Sequence, residues 1–262
     1  MDLEKYGPWA LIVGGSEGIG ASLARKLAAD KFNIAIVARK AEPLEALAGE
    51  LRGMGVEART LSVDLSDAKA IDKVRTITDD IDVGLLIYNA DASNIRGNFV
   101  ELDPKVYRDV INVTVVDQSE FARHYGGLMR ERGKGGIILA GSSSNFMGAP
   151  TLATYTAAKA YSRILTEALW VECEPMGIDV LHMSINYTDT PAMQRLGYDT
   201  SSAQSPDEVA QEALDNITNG PLLILGGEKA LETAIQRSTL KGRGELIKSI
   251  ATPRRENIPQ KA

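Results

Sequence analysis

Ser142, Tyr155 and Lys159, in the middle of the chain, have side chains that could carry out acid–base chemistry together. Residues 155–172 contain no Gly or Pro, so a helix there would place Tyr155 and Lys159 on one face, about one turn apart. A cation within roughly 4–6 Å favours the phenolate, so we expect Lys159 to lower the pKa of Tyr155. Ser142 could then polarise a carbonyl. The same spacing also occurs on helices by chance, so the surrounding elements must decide.

The composition fits a single α/β domain. Of the 262 residues, 44% are hydrophobic and 24% are charged, and this architecture can run to roughly 200–250 residues as one unit. No apolar run approaches the roughly 18–20 residues of a membrane span, and the start of the chain lacks a basic region followed by an apolar core. We therefore expect a cytoplasmic protein with no membrane partner, and the net charge of −6 argues against nucleic acid.

The chain has few cysteines and histidines, which limits the kinds of disulfide, metal site and catalytic triad that it could form. Cys173 is the single cysteine, so an internal disulfide is excluded, and its place in an apolar helix predicts a core position. The two histidines, His124 and His182, lack ligand spacing. Neither a metal site nor a Ser-His-Asp hydrolase is therefore predicted.

Apolar runs alternate with amphipathic stretches along the chain, a pattern that indicates parallel βαβ units. The predicted strands are residues 9–13, 33–38, 56–63, 84–88, 136–140, 178–185 and 221–225. The predicted helices are residues 19–29, 43–52, 68–79, 105–131, 155–172, 206–217 and 229–237. We predict one doubly wound α/β domain over residues 1–251, with a parallel seven-stranded sheet, helices on both faces and a loose C-terminal tail from residue 252 to 262.

A glycine-rich turn, residues 14–20, joins the first predicted strand to the first predicted helix. Glycines let the backbone approach an anion, and the start of a helix offers unpaired N–H groups and a positive dipole end. A P-loop would need Lys-Ser or Lys-Thr directly after Gly20, where Ala21 and Ser22 stand instead, so nucleoside triphosphate hydrolysis loses support. A dinucleotide is the better ligand, with a purely structural turn as the alternative.

With these segments in order, the chain resembles the short-chain dehydrogenase/reductase family over about residues 9–193. The glycine turn has the family's Gly-x-x-x-Gly-x-Gly form. Ser142 precedes Tyr155 by 13 residues, the family's usual interval, and is therefore chosen over the two serines that follow it. The other matching positions are Gly14, Gly18, Gly20, Asp64, Asn89, Ala90 and Asn112.

The resemblance implies a Rossmann fold and hydride transfer between a nicotinamide and a carbonyl or alcohol carbon. Tyr155 would exchange a proton with the substrate oxygen, Ser142 would hydrogen-bond that oxygen, and Lys159 would hold the nicotinamide ribose. Asn112 would hold a water that relays protons to Lys159, with a solvated surface position as the alternative. The implied cofactor residues are Gly14, Ser16, Glu17, Gly18, Ile19, Gly20, Arg39, Lys40, Asp64, Leu65, Asn89, Ala90, Tyr155, Lys159, Thr188 and Thr190.

Three features depart from the family pattern. Asp91 stands where a glycine usually follows Asn-Ala, which brings a carboxylate near the cofactor cleft. Ile185 and Asn186 replace the usual Pro-Gly after the sixth strand. In the C-terminal part, residues 194–205 would form the substrate lid. An apolar pocket or ordinary core is indicated by Phe146, Met147, Leu152, Met193 and Leu196.

The end of the second predicted strand favours NADP(H) over NAD(H). An NAD site usually offers an acidic side chain to the adenine ribose, and Ala38 stands there instead. Arg39 and Lys40 follow, and a guanidinium fork suits a 2′-phosphate. Glu17 weakens this interpretation, since many NADP-binding relatives have a basic residue there, and a solvated basic pair is the alternative.

The leading hypothesis is an NADP(H)-dependent enzyme that interconverts an apolar ketone and a secondary alcohol. The alternative is a catalytically weak relative that binds the cofactor as a sensing or interaction protein, which Asp91 and the missing Pro-Gly support. The resemblance also implies a homodimer or homotetramer joined through the predicted helices 105–131 and 155–172. The side chains that could form this contact, or belong to the core, are Phe121, Leu128, Leu165, Leu169 and Trp170.

Overall fold

The computed structural model describes residues 1–91 and 96–256. Its strands are β1 (Trp9–Val13), β2 (Asn33–Ala38), β3 (Ala58–Ser62), β4 (Val83–Tyr88), β5 (Gly135–Ser142), β6 (Ile178–Ile185) and β7 (Leu222–Ile224). Within the described residues they form one parallel sheet in the order β3-β2-β1-β4-β5-β6-β7. The predicted fold class, a doubly wound seven-stranded parallel sheet, is confirmed.

The helices of the described residues follow and separate these strands. They are α1 (Leu3–Tyr6), α2 (Gly18–Ala29), α3 (Ala41–Gly53), α4 (Ala70–Arg75), α5 (Pro104–Ile111), α6 (Gln118–Arg132), α7 (Ala153–Cys173), α8 (Pro191–Arg195), α9 (Pro206–Asp215), α10 (Gly227–Ser238) and α11 (Arg243–Glu256). Two apolar cores result. One contains Leu23 and Leu27 of α2, and the other contains Phe121 and Tyr125 of α6. Strands buried on both faces read as continuous apolar runs, which is why β1 and β4 were visible in the sequence.

The strand ends meet along one edge of the sheet. Val13 pairs with Tyr88, Tyr88 with Leu139, and Leu139 with His182, so the carboxyl ends of β1, β4, β5 and β6 lie side by side. The strand order reverses between β1 and β4, and ligands of open α/β sheets bind outside the carboxyl ends at such a reversal. The fold therefore places the glycine turn and the serine strand at one crevice.

The helix predicted over residues 105–131 is not continuous. It consists of α5, a π-helical segment at Asn112–Asp117, and α6. The prediction of an unbroken α-helix is therefore wrong. The sequence did not reveal the π-turn because one such turn hardly changes the hydrophobic period that identified the helix. The Tyr88 hydroxyl, at the end of β4, donates to the carbonyl of Val113 at 2.6 Å and ties the π-helical segment to the sheet.

The C-terminal part contains structure that the sequence did not suggest. Helix α8 lies within the segment that follows β6, and α11 continues through residues 252–256, which were predicted to start the loose tail. Residues 257–262 of that tail lie outside the described residues. The segment predicted as a lid is tied to the loop that precedes it, since Asp189 accepts hydrogen bonds from Gln194 (2.8 Å) and Thr200 (2.6 Å).

Candidate active site

The predicted catalytic serine ends β5 and is followed by a 3₁₀ turn, Ser143–Phe146, which we call the serine turn. Ser142 Oγ accepts hydrogen bonds from the Ser144 backbone N–H (3.2 Å) and the Ser144 hydroxyl (2.8 Å). Tyr155 lies in the first turn of α7, and the side chains of Ser142, Ser144 and Asp91 are close enough to its hydroxyl to influence its pKa. The structure thus brings Ser142 and Tyr155 together and adds Ser144, which the family interval had set aside.

A buried polar network supports the serine turn from within the sheet. Gly141 lies against the imidazole of His182 and leaves no room there for a Cβ atom. Asn145 Nδ2 lies 3.0 Å from His182 Nε2 and donates to Ser184 Oγ at 3.2 Å. Burial lowers the pKa of His182 to about 3, so the neutral ring can accept the amide hydrogen at Nε2. The sequence had assigned no role to His182, because its partners are far from it in the chain.

Lys159 lies one turn after Tyr155 on the same face of α7, and only 2% of it is exposed. Its Nζ donates to the carbonyl of Ala140 at 3.4 Å and lies 5.6 Å from the centroid of the Tyr155 ring. Asp91 Oδ2 lies 3.4 Å from the same nitrogen. The buried ammonium is therefore paired with the carboxylate that departs from the family pattern.

The pKa of Tyr155 lies well above the ordinary value for a phenol. Burial is the largest cause, and the negative charge of Asp91 raises the pKa further, while the hydrogen bonds with Ser142 and Ser144 lower it by less. The pKa is thus raised, the opposite of the expected direction, because burial and the charge of Asp91 both oppose ionisation. The contribution of Lys159 itself stays a prediction. The phenol is consequently held in its protonated form, the form of a general acid.

Asn112 is the first residue of the π-helical segment and is half-buried. The segment packs against α7, the helix of Tyr155 and Lys159. Inserted π-turns often mark functional sites, because they redirect side chains without ending the helix. The predicted water-holding role of Asn112 stays a prediction.

The glycine turn is built for a close backbone approach. Gly14 has a φ of +87°, and a Cβ there would lie 2.7 Å from the backbone of Ala90. Asn89 Nδ2 donates to the Gly14 carbonyl at 2.9 Å, so this side chain fixes the turn rather than pointing away from it. The residue that precedes α2, Glu17, makes no side-chain capping bond to the first turn, so this helix start can offer N–H groups to an anion. These features fit the pyrophosphate of a dinucleotide.

The charged residues around this turn differ in the ion pairs that they form. Glu17 pairs with Arg195 of α8, with Nη1 3.0 Å from the carboxylate, and lies 3.7 Å from Lys40 Nζ. The bond from Arg195 is the main cause of the lowered pKa of Glu17. Lys40 thus shares a carboxylate, whereas Arg39 is exposed and forms no ion pair within residues 1–91 and 96–256. Of the two predicted phosphate ligands, Arg39 is therefore the one without an ion pair among the described residues.

The remaining predicted cofactor residues take part in local hydrogen bonds or are buried. Asp64 accepts the Ser66 backbone N–H at 2.9 Å, which lowers its pKa. Thr190 caps α8 by accepting the Met193 N–H at 3.3 Å, and Thr188 donates to the Asn186 carbonyl at 3.1 Å, so both threonines shape the segment after β6. Ile19 and Leu65 are buried, and Ser16 is half-buried in the turn.

The five side chains predicted to line an apolar pocket or to belong to the core differ in their exposure. Phe146, Met147 and Leu152 are buried, Met193 is half-buried and Leu196 is exposed.

In the described part of the chain, no cluster of three or more His, Cys, Asp or Glu side chains could hold a metal ion. No helix among the described residues is both long enough and apolar enough to cross a membrane.

A glycine turn at the reversal of a parallel sheet, with serine, tyrosine and lysine at the neighbouring strand end, defines the class of dinucleotide-dependent oxidoreductases. The model of the short chain dehydrogenase family matches residues 8–201. The chain therefore belongs to the short-chain dehydrogenase/reductase family and is an oxidoreductase that acts on CH–OH or C=O groups.

Relatives with known names support this assignment. The 7beta-hydroxysteroid dehydrogenase of Clostridium sardiniense is 32% identical over 219 residues, which are 82% of this chain and 84% of that protein. A structure from a study of 7beta-hydroxysteroid dehydrogenase stereoselectivity has a TM-score of 0.88 and 29% identity, with 95% of this chain and 98% of that chain covered. A short-chain dehydrogenase from Sphingobium yanoikuyae in complex with NADPH has a TM-score of 0.78 and 26% identity, with 98% of each chain covered.

Proposed function

We propose that this protein interconverts a bulky ketone and its secondary alcohol with NADP(H) as cofactor, and that Tyr155 is the acid–base group. The observation that carries the proposal is the phenol of Tyr155, which has a raised pKa and lies beside the hydroxyls of Ser142 and Ser144 and beside Lys159. Hydroxysteroids are the substrate class suggested by the relatives named above.

The residues would divide the chemistry as follows. Tyr155 donates its proton to the carbonyl oxygen in reduction and removes it from the hydroxyl in oxidation. Ser142 orients that oxygen by a hydrogen bond, and Ser144 holds the Ser142 hydroxyl in position. When bound, NADP(H) supplies or accepts the hydride. Lys159 would hold its nicotinamide ribose, and Asn112 would hold a water that returns the proton to Lys159.

The preference for NADP(H) is supported by the charges at the end of β2. Ala38 provides no carboxylate, and the exposed Arg39 guanidinium has donors for a 2′-phosphate. The pyrophosphate would bind at the N-terminus of α2 beside Gly14 and Gly18, where Glu17 makes no capping bond.

The test is Tyr155→Phe, which keeps the ring and removes the proton. With a steroid ketone and NADPH, we expect turnover to fall by about 10²–10⁴-fold, the contribution typical of a general acid. NADPH binding, measured by fluorescence titration, should change little. Near wild-type turnover would refute the role of Tyr155.

One observation favours the second candidate, a cofactor-binding protein with weak catalysis. The Lys159 ammonium is already paired with Asp91, so the cofactor ribose must compete for it. NADPH binding with no turnover of any ketone or alcohol in either direction would support this alternative.

A homodimer or homotetramer joined through α6 and α7 is also proposed. Phe121 is buried in the core, but Leu128 and Trp170 are partly exposed, and Leu165 and Leu169 pack against the core. Ile164 and Val171 of α7 are 54% and 58% exposed. An apolar helix face of this kind suits a second copy of the chain.

A further inference from the structure

A cavity of about 340 Å³ opens beside the serine turn. Ser143, Asn186, Gly226 and one face of α10 line it. Ser143 directly follows Ser142, and its hydroxyl donates to Asn186 Oδ1 at 3.4 Å. The cavity therefore begins one residue from the proposed reaction site.

The α10 wall of this cavity has a cation at each end. Lys229, Ala230, Thr233, Ala234 and Arg237 recur at helical spacing and all line the cavity. At 1.5 Å per residue, Lys229 and Arg237 are about 12 Å apart along the helix axis, with only small side chains between them. No Asp or Glu is among the described residues that line the cavity.

Arg237 is held in place without a carboxylate partner. Its Nη1 donates to the Ser143 carbonyl at 3.0 Å, and Arg243 donates to the carbonyls of Phe146 (2.9 Å) and Arg237 (2.8 Å), which fastens this end of α10 to the serine turn. Burial alone lowers the pKa of Arg237. Within the described ranges, neither Arg237 nor Lys229 forms an ion pair, although the protein carries an excess of acidic residues.

A half-buried guanidinium lacks the solvation of an exposed one, so an anion that brings its own charge into the cavity is favoured. A carboxylate matches the planar fork of arginine, and the ammonium of Lys229 adds attraction at the other end of the wall. Because Ser143 and Arg243 already hold Arg237 in place, less conformational entropy is lost when the anion binds.

We propose that this cavity binds a carboxylate carried by the substrate, away from the carbonyl that reacts at Ser142 and Tyr155. The inference rests on the proposed function and names its substrate class: a bulky ketone or alcohol with an anionic arm, rather than the wholly apolar substrate that the sequence suggested. Arg237 binds the carboxylate, and Lys229 attracts it.

The test compares a bulky cyclic ketone that carries a carboxylate arm with the methyl ester of the same compound. The quantity measured is the ratio of kcat/KM for the acid to kcat/KM for the ester. Arg237→Gln should lower this ratio about 10- to 150-fold, the range for a hydrogen bond to a charged group. Lys229→Gln should lower it about 2- to 5-fold, because an exposed cation contributes less.

Two further variants guard against a folding defect. Lys229→Glu changes an exposed side chain and should lower the ratio below that of Lys229→Gln, since it adds repulsion. Lys241→Gln, an exposed lysine in the turn after α10, is the matched control and should leave the ratio at its wild-type value. Far-ultraviolet circular dichroism of each variant verifies the fold.

Calorimetric titration of the acid and the ester into the protein, without turnover, separates this inference from the proposed function. If neither ketone is reduced but the acid binds more tightly than the ester and loses that advantage in Lys229→Glu, the inference holds and the proposed function fails. If both ketones are reduced, and the ratio of kcat/KM for the acid to kcat/KM for the ester is the same in the wild type and in every α10 variant, the inference is overturned and the proposed function stands.

Discussion

Asp117 links the stability of this protein to pH. It ends the π-helical segment and is only 2% exposed, and its Oδ2 has no hydrogen-bond partner among the described residues. Burial, with the negative charges of Glu120, Asp67 and Asp64, raises its pKa to about 7. A folded-state pKa above the unfolded value of 3.8 means that the native state holds the proton more tightly. The free energy of unfolding therefore decreases as the pH rises from about 4 to about 7.

Asp117→Asn removes this ionisation while keeping the shape of the side chain. In the wild type, the free energy of unfolding decreases by up to about 1.4 kcal/mol for each pH unit between pH 5.5 and the pKa of about 7. Above pH 7 this contribution changes little, so the total decrease between pH 5.5 and pH 8.5 is about 2 kcal/mol. Solvent screening of the neighbouring charges reduces this to about 1 kcal/mol. The stability of the variant relative to the wild type should thus be about 1 kcal/mol greater at pH 8.5 than at pH 5.5, or about 2–4 °C in Tm.

The assay is thermal unfolding followed by circular dichroism at both pH values. Using the difference between the two pH values cancels any pH-independent effect of the substitution. Glu232→Gln, which alters an exposed carboxylate of α10, is the control and should show no such difference. An Asp117→Asn variant whose relative stability is the same at pH 5.5 and pH 8.5 would refute the reasoning.

Three further predictions concern the cofactor, the proton and the assembly. Arg39→Ala should weaken NADPH binding about 10- to 150-fold and leave NADH binding almost unchanged in fluorescence titrations, so equal losses would contradict the NADP assignment. Asp91→Asn removes a negative charge beside Tyr155 and should lower its pKa, so the pH profile of kcat/KM for alcohol oxidation should move to lower pH; an unmoved profile would exclude this influence. Ile164→Asp should reduce the mass measured by light scattering, whereas Val100→Asp, at a residue that is 90% exposed outside α6 and α7, should not.

Local sequence patterns were sufficient for the fold and for part of the site. The strands β1, β2 and β6 agree with their predicted bounds, because each is a mainly apolar segment between turn residues. The shared face of Tyr155 and Lys159 followed from a four-residue spacing on a helix, and the glycine turn followed from its place between β1 and α2. These features depend on neighbours in the chain, which a sequence displays directly.

The tertiary structure alone decided how the side chains in the site influence one another. Asp91 approaches Lys159 across 68 positions of the chain, and Asn145 meets His182 across 37. Arg195 reaches Glu17 across 178 positions, and Arg237 reaches Ser143 across 94. A pKa depends on burial and on charges within a few ångströms, and neither quantity is given by separation along the chain. The sequence therefore indicated which residues could react, while the packing of distant segments determined that the pKa of the phenol is raised and that a cationic cavity lies beside Ser143.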